Sequence, residues 1–380
     1  MSKCVTVYTQ AYNVENYIEQ CIKSVLSQTF QDFEWILVEN GSTDKTREII
    51  RKYAALDERI KPDYFDVNQD GFTNYYIAEK ADGRYIVKID SDDWIEPEYL
   101  EKLIAPFEDP DVDISICGAV NYEEETGRET PHEYGELDGV YSKSDIEKQF
   151  IEMRSYMGTY WGKMFRREIF CSILPDMKEI GEKLKKGDNF GGDVAFALCY
   201  LGECKKLAFV NERMYHYRIH NNSYATRTIG TNRVFSCLAL RETEHHFLHK
   251  VNAYTEQNVI MVDLLFWQNI EQLFKNIIRA DWDTDQKIKT ISEVCANKDL
   301  QLLRKEAYNS KVRTILMGDI AWCYMNAGNS KYLKNVLMLL EPDIFDSISN
   351  ETYEWMRENQ ILMSYIIMGE FRSEERRVGK

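Results

Sequence analysis

The chain has 380 residues, 44% of them hydrophobic, enough to bury a sizeable core in two domains. Its formal net charge of −16 argues against a nucleic-acid partner, because phosphate backbones are held by clustered Lys and Arg; a phosphate-bearing small molecule remains open where a metal supplies positive charge. Nine scattered cysteines with no CxxC pair argue for reduced thiols in a cytoplasmic setting and against structural zinc, and neither a signal peptide nor a run of about 18 apolar residues is present.

Val5-Thr6-Val7-Tyr8 is β-branched and aromatic and predicts a first strand. Asn13 is placed to cap a helix carrying Val14, Ile18, Cys21, Ile22, Val25 and Leu26 at helical spacing. Trp35-Ile36-Leu37-Val38 is continuously apolar and predicts a strand buried on both faces. Gly41 to Asp44 reads as a turn and helix start, with Ile49, Ile50, Tyr53 and Leu56 on the helix face. Strands follow at Ile60 to Phe65 and Tyr85 to Ile89, then a short helix from Glu96 to Leu103, then a strand from Ile114 to Cys117. This alternation predicts an α/β fold with a largely parallel, doubly wound sheet, whose ligands bind at the C-terminal strand ends. From 121 to about 225 the pattern is mixed, with short strands predicted at Leu207 to Val210 and Met214 to Arg218. From 230 to about 370 amphipathic helices dominate, among them Val259 to Ile278 and Val312 to Met325 with a break at Gly328; the tail from 371 to 380 reads as disordered.

The chemistry concentrates in Asp90-Ser91-Asp92-Asp93, at a strand's C-terminal end. Three carboxylates in four residues repel one another unless a cation sits among them. Mg²⁺ or Mn²⁺ suits such a cluster, since it takes one or two carboxylates and fills its shell with water and substrate phosphates. A solvated acidic loop or a helix N-cap is the plain alternative. A calcium loop is disfavoured, because Trp94 and Ile95 stand where it needs a ligand and a glycine.

In order along the chain come Val5-Thr6-Val7, Tyr12-Asn13, Ser24 to Thr29, Asp32-Phe33-Glu34, Val38 to Asp44, Asn68, Gly71, Ala81 to Ile86 and Ile89 to Asp93. Later come Tyr160 to Arg167, Gly191-Gly192-Asp193 and Tyr215 to Ser223. Together these resemble the family-2 glycosyltransferases of the GT-A fold, over about residues 4 to 226.

The resemblance implies a Rossmann-like, mostly parallel GT-A domain over 1–226, with a nucleotide-binding half at 1–120 and an acceptor half at 121–226, then an all-α appendage at 230–370. It assigns Tyr12 to stack on the donor base, Asn40 and Glu39 to its edge, and Gln10 and Asn68 to their support. Asp90 goes to the donor nucleotide, Asp92 and Asp93 to the metal, and Arg218 to phosphate charge. His220 is assigned to the metal or diphosphate, and Asp193 to the general base. For Asp193 a helix N-cap, and for His220 a structural role, stay open. The chain departs from the family pattern at Glu39-Asn40, where Asp-Asp is usual, at Ala11, at Thr73-Asn74-Tyr75 and at Gly192.

The implied activity is an inverting transfer from a nucleotide-sugar, a UDP-sugar first, with Mn²⁺ or Mg²⁺ and no organic cofactor. The implied acceptor is a saccharide, a lipid-linked sugar or another glycoconjugate. The helical region could pack on the catalytic domain, join a homo-oligomer or rest on the inner membrane face. Two competitors remain: a non-catalytic binding or scaffold protein on a decayed transferase domain, and a sugar-1-phosphate nucleotidyltransferase. The second is disfavoured because Thr9-Gln10-Ala11-Tyr12-Asn13 has no glycine for a phosphate loop.

Overall fold

The computed structural model describes residues 4–69, 73–132, 137–188, 190–220 and 232–306. These fall into two compact units, neither continuous in sequence. The first takes the chain up to Gly181, then Gly192 to the end of the last strand, and His246–Asn258. The second takes Glu182–Gly191, the stretch before His246 and the chain from Val259.

The first unit is built on one mixed sheet. It opens with β1 (Val5–Ala11), α1 (Ile18–Leu26), β2 (Phe33–Asn40), α2 (Thr46–Ala54), β3 (Ile60–Phe65), α3 (Thr73–Lys80) and β4 (Tyr85–Lys88). β2 is buried at every position and β1 at all but Gln10, as expected for the β-branched and apolar stretches at their centres. Val5 pairs with Phe33 on one side and Tyr85 on the other, and β2 continues to β3, all parallel. Parallel pairing sets the C-terminal ends of these four strands along one edge, the side where α/β sheets hold ligands. Asn13 does not cap α1. It adopts a positive φ of 52°, its Oδ1 accepts from the Thr43 backbone at 2.9 Å, and the helix starts at Ile18.

Next come β5 (Trp94–Ile95), α4 (Tyr99–Ile104), β6 (Val112–Glu123), β7 (Arg128–Pro131), β8 (Gly139–Ser142), α5 (Ile146–Tyr156) and β9 (Lys163–Arg166). α6 (Arg167–Ser172), α7 (Leu174–Leu184), α8 (Gly192–Glu203) and β10 (Lys206–Ile219) follow. The sheet runs β3-β2-β1-β4-β9-β6-β10-β5, with β7 on β6 and β8 on β10. β9 is antiparallel to both β4 and β6, so the parallel run stops at β4. β10 is one strand where two were predicted. The exposed Asn211, Glu212 and Arg213 between the apolar stretches mark a register shift against β6. β10 also pairs antiparallel with β5, bringing Tyr215 beside Ile95 and His216 beside Trp94.

Beyond β10 the described residues form helices: α9 (Arg233–Lys250), α10 (Glu256–Arg279), α11 (Thr284–Cys295) and α12 (Lys298–Glu306). In the second unit Arg241 and His245 both contact Asp263, at 2.7 and 3.2 Å. No helix among the described residues is long and apolar enough to cross a membrane. The helix expected at Val312 to Met325, the break at Gly328, the tail from 371, Gly71 and the segment Asn221 to Ser223 lie outside the described residues.

Candidate active site

The acidic loop leaves β4 and turns at once, the Asp93 backbone N–H donating to the Asp90 carbonyl at 3.2 Å. Its shape is fixed from β10. The Tyr215 hydroxyl accepts from the Asp90 N–H at 3.0 Å and donates to Asp93 Oδ2 at 2.7 Å. The Arg218 backbone N–H donates to Asp93 Oδ1 at 2.8 Å. Asp93 is therefore 1% exposed, with a protein donor on each carboxylate oxygen. Burial, with Asp92 and Asp90 nearby, pushes its pKa well above the carboxylate range. Trp161 supports this anchor by stacking on Tyr215, centroids 4.5 Å apart.

Asp92 is more open, and its Oδ2 lies 2.9 Å from His220 Nε2. Burial and Asp90 raise its pKa, while His220 works in the opposite sense. The other imidazole nitrogen, Nδ1, is buried without a hydrogen-bond partner. Tyr17 packs against the His220 ring at 4.8 Å. Arg218, assigned from the sequence to phosphate, is 6% exposed. Its Nε donates to the Asp92 carbonyl at 2.8 Å and Nη2 to Gln20 Oε1 at 2.6 Å. The guanidinium lies over the Tyr17, Trp94 and Tyr122 rings at 5.0, 4.8 and 5.3 Å. It braces the acidic loop from behind.

Asp193 sits inside the first turn of α8, one residue past its start, so it is not the N-cap the plain alternative required. The helix dipole favours its charged form there. The side chain is reachable by solvent yet crowded by protein. That crowding raises its pKa; Lys88 opposes the rise, Asp90 adds to it and Lys163 opposes it. Lys88 projects from β4 and pairs with Asp90 at 3.0 Å. It also lies over the Tyr160 ring at 5.1 Å. Tyr160 packs on Phe196 of α8 at 4.4 Å and donates to Asn74 at 3.0 Å. Lys163 is buried and donates to Thr159 O, Thr159 Oγ1 and Trp161 O at 2.7, 2.8 and 3.2 Å. Burial pushes its ammonium pKa down to about 7.

The other end of the site is the turn region after β1 and β2. Ser42 Oγ accepts from Asn13 N–H at 3.1 Å, and Thr46 Oγ1 accepts from Val14 N–H at 2.9 Å, tying the two turns together. Gly41 has φ +77°, and a Cβ there would meet the Val67 carbonyl carbon at 2.6 Å, so only glycine fits. Tyr12 is 38% exposed beside this turn. Gln10 is half-buried at the end of β1 and Asn68 is exposed. Asn40 donates to Asn68 Oδ1 at 2.8 Å, and its own Oδ1 accepts from Gln69 N–H at 2.9 Å. Glu39 is fully buried, accepting from Ser42 N–H at 2.5 Å and pairing with Arg47.

The structure thus groups Asp90, Asp92, Asp93, Arg218 and His220 in one cluster and Glu39, Asn40 and Asn68 in another. Sequence reasoning assigned no role to Tyr215, Gln20 or Lys88. For Lys88 a signal existed: it is the one charge inside the apolar run Tyr85 to Ile89. For Gln20 there was none.

A family model described as glycosyl transferase family 2 matches residues 6–174. EpsH of Bacillus subtilis (strain 168), a provisionally named glycosyltransferase, is 31% identical over 305 residues, which span 78% of this chain and 84% of EpsH. Chondroitin synthase of Pasteurella multocida (strain Pm70) is 23% identical over 94% of this chain but only 34% of its own length. Among solved structures, S. aureus TarS 1-349 in complex with UDP shares the fold at TM-score 0.56 and 18% identity, over 91% of this chain and 93% of that one. The sheet order, the acidic loop at the end of β4 and these likenesses agree: the protein is a glycosyltransferase of GT-A fold and belongs to glycosyl transferase family 2.

Proposed function

We propose that the chain moves a hexosyl or N-acetylhexosaminyl group from a UDP-sugar to an acceptor hydroxyl with inversion, in the synthesis of a cell-surface polysaccharide or glycoconjugate. UDP in the TarS structure and the polysaccharide-synthase relative support this choice of donor and product class. The observation that carries the reading is the acidic loop at the C-terminal end of β4, where Tyr215 and Arg218 of β10 fix Asp93 and leave Asp92 beside His220.

In this reading Tyr12 stacks on the base, while Asn40, backed by Asn68 and with Gln10 alongside, reads its edge. Glu39 holds the turn that carries Asn40, and Asp90 meets the donor nucleotide. Asp193 takes the proton from the acceptor hydroxyl as that oxygen attacks the anomeric carbon opposite the leaving diphosphate. Arg218 and Asp93 keep the acidic loop in shape.

The donor set suits a hard divalent cation: Asp92, whose pKa burial and the neighbouring Asp90 raise, stands beside an imidazole whose Nδ1 has no partner. Among the described residues no three His, Cys, Asp or Glu side chains form a ready-made cage. A cation taking one or two protein ligands and completing its shell with water and phosphate needs none. Mn²⁺ or Mg²⁺, which Asp92 and His220 would hold, would supply charge stabilisation to the leaving diphosphate.

The test is a turnover screen of UDP-, GDP-, CMP- and dTDP-sugars with Mn²⁺ against saccharide acceptors, repeated with Asp193→Asn. A UDP-sugar is expected to turn over, and the variant to lose transfer by about 10²-fold or more while keeping donor affinity and melting temperature. Wild-type transfer by the variant removes the base from the proposal. A chain that binds UDP and turns over no sugar donor is a scaffold.

A further inference from the structure

His220 lacks the hydrogen bond that ordinarily orients a metal-ligating imidazole. Such a ring puts one nitrogen on the metal and the other on a carboxylate, carbonyl or water that fixes its plane. Here Nε2 lies 2.9 Å from Asp92 Oδ2, while Nδ1 is buried with no hydrogen-bond partner. The histidine Cβ–Cγ torsion has a broad energy profile, so a ring held through one nitrogen alone can turn. That one hydrogen bond is also the one a cation between Asp92 and His220 would displace. The ring therefore needs a support of another kind, and its side chain is only 8% exposed.

Tyr17 supplies that support. It is the residue before α1, and its N–H donates to the Val14 carbonyl at 2.9 Å. Its ring packs against the imidazole with centroids 4.8 Å apart. The Tyr17 ring is itself tethered, because its hydroxyl donates to Glu124 Oε2 at 2.8 Å. Glu124 follows β6, and its backbone N–H donates to the Ile219 carbonyl at 3.1 Å, one residue before His220. The Arg218 guanidinium lies over the same Tyr17 ring at 5.0 Å while its Nε donates to the Asp92 carbonyl at 2.8 Å. Tyr17 thus touches His220 directly and Asp92 through Arg218, and its tether returns to the strand end that carries His220.

We propose that Tyr17 is a positioning residue for the cation site: tethered by its hydroxyl to Glu124, its ring holds the His220 imidazole facing Asp92. The inference rests on the reading of Asp92 and His220 as the metal ligands.

The probe is Mn²⁺ itself, titrated into the protein and followed by electron paramagnetic resonance of the free ion. Tyr17→Leu should weaken Mn²⁺ binding by about 10-fold or more, the scale for removing a group that orients a metal ligand. Its melting temperature and its UDP affinity in EDTA should stay near wild type, which a residue that served packing alone would not allow. The effect should also vanish in a His220→Ala background, where no imidazole is left to orient. Unchanged Mn²⁺ affinity in folded Tyr17→Leu overturns the inference, and so does a loss of the same size without His220. Should Tyr17→Leu fail to fold, Tyr17→Phe keeps the ring and cuts its tether. That variant should bind Mn²⁺ more weakly than wild type, and equal affinity overturns the inference. The metal reading fails separately: His220→Ala with wild-type Mn²⁺ affinity removes His220 as a ligand, whatever Tyr17 does.

Discussion

Asp93 has both carboxylate oxygens on protein donors and is 1% exposed, while its neighbour Asp92 meets His220 with a side chain 28% exposed. Asp92→Asn should therefore leave the melting temperature near wild type and abolish the Mn²⁺ dependence of UDP affinity, read by calorimetric titration. Equal affinities with and without Mn²⁺ in the wild type would already refute the metal site. Asp93→Asn should instead cost about 1–3 kcal/mol of stability, because an amide cannot accept on both sides and a buried hydroxyl or N–H loses its acceptor. That cost should depend on pH. The raised pKa of Asp93 means the native state binds the proton more tightly than the unfolded chain. Stability from this group is then full below the unfolded carboxylate value of about 4 and falls as pH rises towards the native value. Chemical melts of wild type and variant at several pH values should show the gap narrowing from pH 4.5 upward; a gap that widens contradicts the assignment. The sequence made the carboxylate cluster visible, but not which member is buried. Burial is decided by Tyr215 and Arg218, more than 120 residues downstream.

Among the elements, β1, β2 and β4 were legible because buried strands leave β-branched and apolar runs, whereas β3, an edge strand with only Ile60 buried, was legible from its place in the alternation. β9 was not legible from periodicity. It has four residues, charged at both ends, and is buried through its two neighbours rather than its own pattern. β10 split in the sequence reading for the opposite reason: its polar centre lies at a register shift, where side chains turn to solvent. The turn after β2 was read correctly as a turn, but its closeness to Val67 needed coordinates. Gly41→Ala should cost about 1–2 kcal/mol from the left-handed backbone alone, with a further cost because the new methyl meets backbone rather than a movable side chain. Because Val67 precedes Asn68, which receives the Asn40 amide, the same change should weaken UDP binding. A variant with lowered stability and unchanged UDP affinity would detach this turn from the nucleotide.

At the scale of the whole molecule, neither compact unit is a single stretch of chain, and a boundary near residue 226 leaves part of the first unit behind. His246–Asn258 returns to it: Asn258 donates to Glu147 O at 2.9 Å, Lys250 pairs with Glu203 at 2.5 Å, and Phe247 packs near Phe150 at 6.1 Å. A protein ending at residue 226 should melt well below one ending at 258 or bind a hydrophobic dye, and equal melting would show the returning segment to be dispensable. Helical periodicity after residue 230 was plain in the sequence, but which helix turns belong to which unit is a matter of long-range packing that no local pattern carries. The grip of β10 on the acidic loop also has a consequence during synthesis. Asp90 to Asp93 leave the ribosome early, yet their anchors Tyr215 and Arg218 are made more than 120 residues later. Until β10 has emerged and paired, a nascent chain carries the strands β1 to β9 and an unanchored acidic loop. If the acidic loop holds the donor as proposed, donor binding is gained late in translation, and a chain stalled before residue 215 should hold nucleotide-sugar poorly.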